Sequence, residues 1–150
     1  DGKSNVVADA LSRRYALISI LETRLLGFET LKDYYKEDVD FGEIYSNCEN
    51  RAFGKYIMQG GFLFKENRLC IPRHSIRELL VREAHGGGLA GHFGITKTLE
   101  ILKEHFHWPK MLGDVQKVIS KSVLLVIWQR VLSNQEHILH YQHLVVLGWT

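Results

Sequence analysis

At 150 residues, with 45% hydrophobic side chains and a formal charge of +2, the chain has the composition of a globular protein with room for one ordinary core or one to two small units. So small a net charge gives no argument for nucleic-acid binding by itself, and no apolar run reaches the roughly 18–20 residues that a bilayer span needs. Cys48 and Cys70 lack the close spacing of a metal pair and read as free thiols in a reducing compartment.

Charge is unevenly placed along the chain. Residues 29–50 carry seven acids and two lysines, a net of −5, whereas residues 65–121 carry ten bases and six acids, a net of +4. An acidic tether leading into a mildly basic module suits contact with a polyanion, and a solvated surface would carry the same pattern.

The N-terminal stretch shows no secretory leader. Asn5 can cap a short helix whose apolar residues are Val6, Ala10 and Leu11. A second helix is expected through Glu29–Lys36. Residues 37–40 read as a linker, with Asp40 capping a turn through Glu43–Ser46. Tyr56–Met58, Phe62–Phe64 and Arg68–Ile71 are short apolar strands, joined by turns at Gly60-Gly61 and Glu66-Asn67. Pro72 ends the last strand, and Ser75 is placed to cap a helix in which Ile76, Leu79, Leu80 and Ala84 recur at helical spacing. Glycines 86–91 break it. Thr96–Glu104 is the next helix, with Leu99 and Leu102 inward. Pro109 opens another, with Met111, Leu112, Val115, Val118 and Ile119 inward.

The glycine-rich break invites three enzymatic readings, and each fails. Gly86-x-Gly88-x-x-Gly91 follows a helix, whereas a dinucleotide fingerprint follows a strand. His85-Gly86-Gly87-Gly88 resembles a lipase oxyanion loop, but the chain has no Gly-x-Ser-x-Gly elbow. Gly91 to Thr98 lacks the Gly-Lys-Ser/Thr of a phosphate loop. His85 and His92 instead suit one half of a structural zinc site: the first closes a helix, the second follows glycines that let the chain reverse. The other reading of the residues alone is a solvated His85 and a half-buried His92.

His85-x6-His92, the run Gly91-His92-Phe93-Gly94-x-x-Lys97-Thr98, and Phe106-x-Trp108-Pro109-Lys110-Met111 together resemble the N-terminal zinc-binding (HHCC) domain of Ty3/gypsy-type retrotransposon integrases. The segment from Ala52 to Pro72 resembles the small sheet that precedes it in plant elements, and Asn5–Arg13 resembles the last helix of a ribonuclease H domain in the same Pol polyprotein. The resemblance covers residues 1–121. It implies an α+β fold, a three-stranded antiparallel sheet with a bundle of short helices and irregular terminal segments. The implied layout is a ribonuclease H remnant at 1–14, a helical and acidic tether at 15–55, a zinc-binding domain at 56–121 and an aberrant tail at 122–150. It further implies zinc as cofactor, DNA ends and other integrase subunits as partners, no membrane or small-molecule substrate, no catalysis by this module, and an intracellular location in cytoplasmic particles and the nucleus. Lys97, Lys103 and Lys110 are the expected nucleic-acid contacts.

Two departures from the family pattern stand out. Asp9 matches the last metal-binding carboxylate of a ribonuclease H site, but two-metal hydrolysis needs the whole acid cluster, so it is an orphan here. The cysteine pair expected after 29 intervening residues from His92 is replaced by Ser122 and Leu125. Residues 122–131 are compatible with codons that, read from the third base of the Ser122 codon, spell Cys-Phe-Thr-Cys-His-Met-Ala-Lys-Ser. The rest of the tail in that frame is compatible with a proline-rich linker. A one-nucleotide shift near Lys121 and Ser122 is the expectation that follows. The tail as written reads as an apolar, poorly specified helix or a disordered segment. His137, His140 and His143, three apart, could stand in as ligands. Two functions are in play: an integrase zinc-binding module that assists DNA integration, or a decayed fragment with an incomplete zinc site, little or no zinc and no activity.

Overall fold

The computed structural model describes residues 2–87 and 93–146, with side chains as far as Ser133. The architecture is α+β. Helices α1 (Gly2–Arg24), α2 (Leu31–Tyr34) and α3 (Gly42–Asn47) precede strands β1 (Tyr56–Gln59), β2 (Phe62–Lys65) and β3 (Arg68–Cys70). Helices α4 (Ile76–Gly86) and α5 (Ile95–His105), strand β4 (Phe106–His107) and helix α6 (Met111–Val146) follow.

The sheet runs in the order β1-β2-β3-β4. Strands β1 and β2 are antiparallel, with Gln59 opposite Phe62. Between them Gly60 and Gly61 both take positive φ, 60° and 83°, the conformation that a two-residue hairpin turn of the right twist demands and that side chains resist. The sequence pattern predicts three strands. The fourth, β4, pairs parallel with β3 through Leu69–Phe106 and Cys70–His107. Two residues are too few to show an alternation, so this pairing leaves no periodic trace in the sequence.

The acidic stretch supplies much of the core. Phe28, Leu31, Tyr35 and Phe41 are fully enclosed. Phe28 stacks on Phe62 of β2 at 4.6 Å, and Tyr35 stacks on Tyr45 at 4.8 Å. The Tyr35 hydroxyl donates to the Cys70 carbonyl at 2.7 Å, which satisfies a hydroxyl whose burial would otherwise cost stability. Glu29, Asp33, Glu37, Glu43 and Glu49 face outward, whereas Asp38 is buried with the aromatics.

The N-terminus is a helix of 23 residues, not a short helix in an irregular segment. It docks through its second half. Arg14, Ile18 and Leu21 are buried, and the Arg14 guanidinium donates to Gln59 Oε1 at 2.7 Å and Asn67 Oδ1 at 3.1 Å. Of the two readings of the tail, a poorly specified apolar helix or a disordered segment, the structure has the helix, as the far end of α6. Large apolar side chains from Val123 to Leu132 are about half exposed there. They surround the helix rather than forming a stripe, so no single face can bury them. Leu112, expected inward, is 48% exposed. No helix among the described residues is long and apolar enough to cross a membrane.

Two expected caps are made by neighbours instead. Asp38, not Asp40, accepts the backbone N–H groups of Asp40 and Phe41 through Oδ1, both at 2.9 Å. At α4 the Ile76 N–H donates to His74 Nδ1 at 3.2 Å, and Ser75 makes no side-chain cap. Asp38 is thereby free to turn its other oxygen to the Arg73 N–H, at 2.6 Å.

Asp40 joins the clasp that ties the acidic stretch to the helices. Arg77 of α4 donates twice to the Ile71 carbonyl, at 3.0 and 2.7 Å, and reaches Asp40 Oδ2 at 3.3 Å. Its guanidinium lies over the Trp108 ring at 5.6 Å, and the Trp108 indole N–H donates to Asp114 of α6 at 3.0 Å. Removing a largely buried guanidinium strands a carbonyl and a carboxylate at once. Arg77→Ala is expected to lower unfolding stability by about 2–4 kcal/mol in urea titration, with Arg77→Lys recovering only part of the loss because an ammonium cannot donate as a fork.

Candidate metal half-site and nucleic-acid interface

His85 sits in the last turn of α4, half-buried. The following glycines let the chain return, and the Phe93 N–H donates to the His85 carbonyl at 3.0 Å. The loop therefore brings the residue after His92 back against the helix end that carries His85. His92 itself lies outside the described residues.

The positions where a cysteine pair is expected both lie on α6. Ser122 turns its hydroxyl to the Val118 carbonyl of its own helix, at 3.1 Å. Leu125 is 55% exposed. A hydroxyl already bonded to its helix and an aliphatic side chain do not supply the two thiolates that a tetrahedral site of this type needs. Ser122 and Leu125 thus do not fit the second half of such a site. His137, His140 and His143 belong to α6, and their side chains fall outside the described residues. Among the described residues no group of three or more His, Cys, Asp or Glu side chains is placed to hold a metal ion. Asp9 is on the exposed half of α1, paired with Arg13 at 2.9 Å.

The cysteines are chemically quiet. Burial pushes the Cys70 thiol up to about 12 and the Cys48 thiol upward as well, which leaves both protonated and weakly nucleophilic at neutral pH.

The three lysines expected to meet nucleic acid do not share one place. Lys97 pairs with Glu100 on α5 at 3.5 Å. Lys103 and Lys110 line one hollow of about 450 Å³, together with Lys65 and Arg68. The last two were absent from the sequence expectation. The signal was there: a two-residue turn between β2 and β3 sets Lys65 directly opposite Arg68, so the hairpin itself pairs the two cations. A second hollow of about 450 Å³ adjoins the first at Pro109 and Lys110, and takes in Arg73, Lys117 and Lys121. A larger hollow of about 1060 Å³ lies between α1, α4 and the end of α5, lined by Leu17, Ile20, Leu25 and Leu80 among others, and shares Phe106 with the first hollow.

A profile of the integrase zinc binding domain matches residues 72–123. That segment, from just after β3 into α6, is similar to the integrase zinc-binding domain, a family that binds zinc. The chain is also similar to proteins of the gypsy integrase type. It is 26% identical to the rat "Gypsy retrotransposon integrase-like protein 1" over 118 residues, 67% of this chain and 23% of the relative. The human and crab-eating macaque (Macaca fascicularis) proteins of the same name are each 29% identical over 73 residues, 45% of this chain and 14% of theirs. The chain thus spans less than a quarter of the length of these relatives. No solved structure matches it.

His107 of β4 lies between the basic hollow and the core, edge-on to Phe41 and Tyr56. Burial, and then the nearby Lys65, Arg68 and Arg77, push its pKa down from 6.5 to about 4. A depressed folded pKa means that the unfolded chain takes up the proton first. The contribution of a neutral His107 is therefore full above about pH 6.5 and is lost as pH falls toward 4. Urea midpoints measured across that window are expected to fall with acid, and the fall should be smaller in His107→Gln.

Proposed function

We propose that this chain is the zinc-binding module of a retrotransposon polyprotein, assisting integration by positioning DNA ends and by subunit multimerisation, without performing chemistry itself. The observation that carries the reading is the integrase zinc-binding match over residues 72–123, with His85 at the end of α4 and the chain folded back onto it. The cationic hollows at Lys110 supply a surface that suits DNA. Val6 and Val7, 70% and 66% exposed on the undocked half of α1, suit a helix that belongs to an adjoining domain, in keeping with the ribonuclease H likeness of Asn5–Arg13. On this reading the module works on DNA in the nucleus.

A second reading concerns what this particular chain retains. Ser122 and Leu125 in place of a cysteine pair favour a decayed fragment that holds zinc weakly. The family match ends at Val123, close to where the alternative reading frame would begin, which supports a one-nucleotide shift as the origin of the tail. Sequencing the gene or its transcript across codons 121–125 is expected to show both cysteine codons in the shifted frame. Absence of either would remove the frameshift account.

Metal binding separates the two readings. Calorimetry on the chain as written is expected to show no tight zinc site, since the binding free energy of roughly 10–16 kcal/mol seen in structural zinc domains requires a complete ligand set. A variant in which residues 122–150 are replaced by the shifted-frame sequence should gain helical signal and thermal stability on zinc addition and lose both with chelator. One tight zinc per chain in the protein as written, abolished by His85→Ala, would instead point to substitute ligands on α6.

A further inference from the structure

Resting on the DNA-positioning reading, we propose that the two hollows meeting at Lys110 form one phosphate-binding band that grips the backbone of duplex DNA without reading its bases, with Lys110 as the residue that bridges them.

The first hollow has Lys65, Arg68, Lys103 and Lys110 on its walls and no carboxylate among its lining residues; Arg68 alone of these four is ion-paired among the described residues, with Glu66 at 3.7 Å, and Glu66 is shared with Lys55. The second contains Asp40, Glu78 and Asp114, but each of these is engaged within the protein. Asp40 is held by Arg73 and Arg77, Glu78 by Arg82 at 2.6 Å, and Asp114 by the Trp108 indole and Arg77. The lysines at the rim of this hollow, Lys110, Lys117 and Lys121, therefore dominate what a polyanion meets there. Two cationic hollows in series, joined at Pro109 and Lys110, follow the form of a sugar-phosphate strand rather than that of a single compact anion.

Lys110 carries an independent mark. Its backbone lies at φ 58°, in the left-handed region, which a residue with a Cβ adopts at a cost of about 1 kcal/mol relative to glycine. Its carbonyl accepts the first N–H groups of α6, from Gly113 at 3.0 Å and Asp114 at 3.3 Å. Glycine would serve that backbone better. Lys110 lines both hollows, and its cationic side chain is what glycine could not supply.

The aromatic residues decide between double and single strands. Single-strand binders stack bases on exposed aromatic faces. In the first hollow Phe106 is 8% exposed and Trp108 2%, and Trp108 already has its face under Arg77 and its N–H on Asp114. With the Phe106 and Trp108 rings closed to stacking, the band favours phosphates over bases, and such contacts fix position without conveying sequence.

The test uses the full chain and fluorescence anisotropy, with a 20-base-pair duplex of arbitrary sequence and a 20-nucleotide oligothymidylate as probes, between 50 and 200 mM salt. The expected result is tighter binding of the duplex, insensitive to its sequence and weakened steeply by salt. Lys110→Gly should weaken duplex binding several-fold and lower the salt slope by about one, while leaving the thermal midpoint equal or higher. Lys110→Asn, also tolerant of a left-handed backbone, should behave alike. Lys3→Ala, on the first turn of α1, should bind as the parent does. Tighter binding of oligothymidylate than of the duplex would overturn the duplex band and leave a DNA role standing. Unchanged affinity and slope in both Lys110 variants would overturn the bridging role. Binding of neither probe would remove the DNA-positioning reading itself.

Discussion

The Arg77 guanidinium is the point on which the two parts of the molecule depend. It is donated from α4, fixed to the end of β3 through the Ile71 carbonyl, paired with Asp40 from the acidic stretch, and laid over Trp108 ahead of α6. Burial lowers its pKa, and the carboxylates of Asp40 and Asp114 oppose that shift. For Asp40 the balance falls the other way: burial pushes its carboxyl up, but hydrogen bonds from Arg73 and Arg77 outweigh this and hold it below the ordinary range. A charge this enclosed is tolerated only with its partners in place. The segment before the sheet and the helices after it are thus mutually required. This explains why a stretch with so many acids packs at all: two of them, Asp38 and Asp40, are consumed in fixing Arg73 and Arg77.

Local patterns made part of this legible in the sequence. The Gly60-Gly61 hairpin, the second and third strands and helices α4 and α5 follow from turn chemistry and from spacing that repeats over several residues. The acidic stretch did not follow, because its buried side chains, Phe28, Leu31, Tyr35, Phe41 and Tyr45, are spread over a short helical turn, two brief helices and their connections. No single period spans them, so the charges dominate the pattern while the aromatics decide the packing. The length of α1 was hidden for a related reason. Its first half is solvated and carries no apolar stripe, and it is held to the body by Arg14, a residue type that an apolar pattern ignores. The site divides in the same way. His85 and the lysines of α5 and of the Pro109 turn are local features, whereas the approach of Lys65 and Arg68 to Lys103 depends on the parallel pairing of β4, which two residues could not announce.

The final helix shows what a missing terminator does. Up to Ile119, α6 packs through Met111, Val115, Val118 and Ile119, and those turns supply the costly nucleus from which further helix grows one hydrogen bond at a time. Beyond them, Val123 to Leu132 give the helix no face to bury, yet no proline or glycine stops it. On the frameshift reading, the loss of the cysteine pair and the overlong helix are one event. The shifted frame places cysteines where a metal would hold the chain against His85, and then prolines, which cannot continue a helix because they lack the N–H and clash with the preceding turn. In the frame as written both constraints vanish together. The helix then runs on because propagation is favourable, while its exposed apolar surface gains nothing from burial. A fold held at this end by hydrophobic packing up to Ile119 can survive that exchange. A ligand set that is split across it cannot.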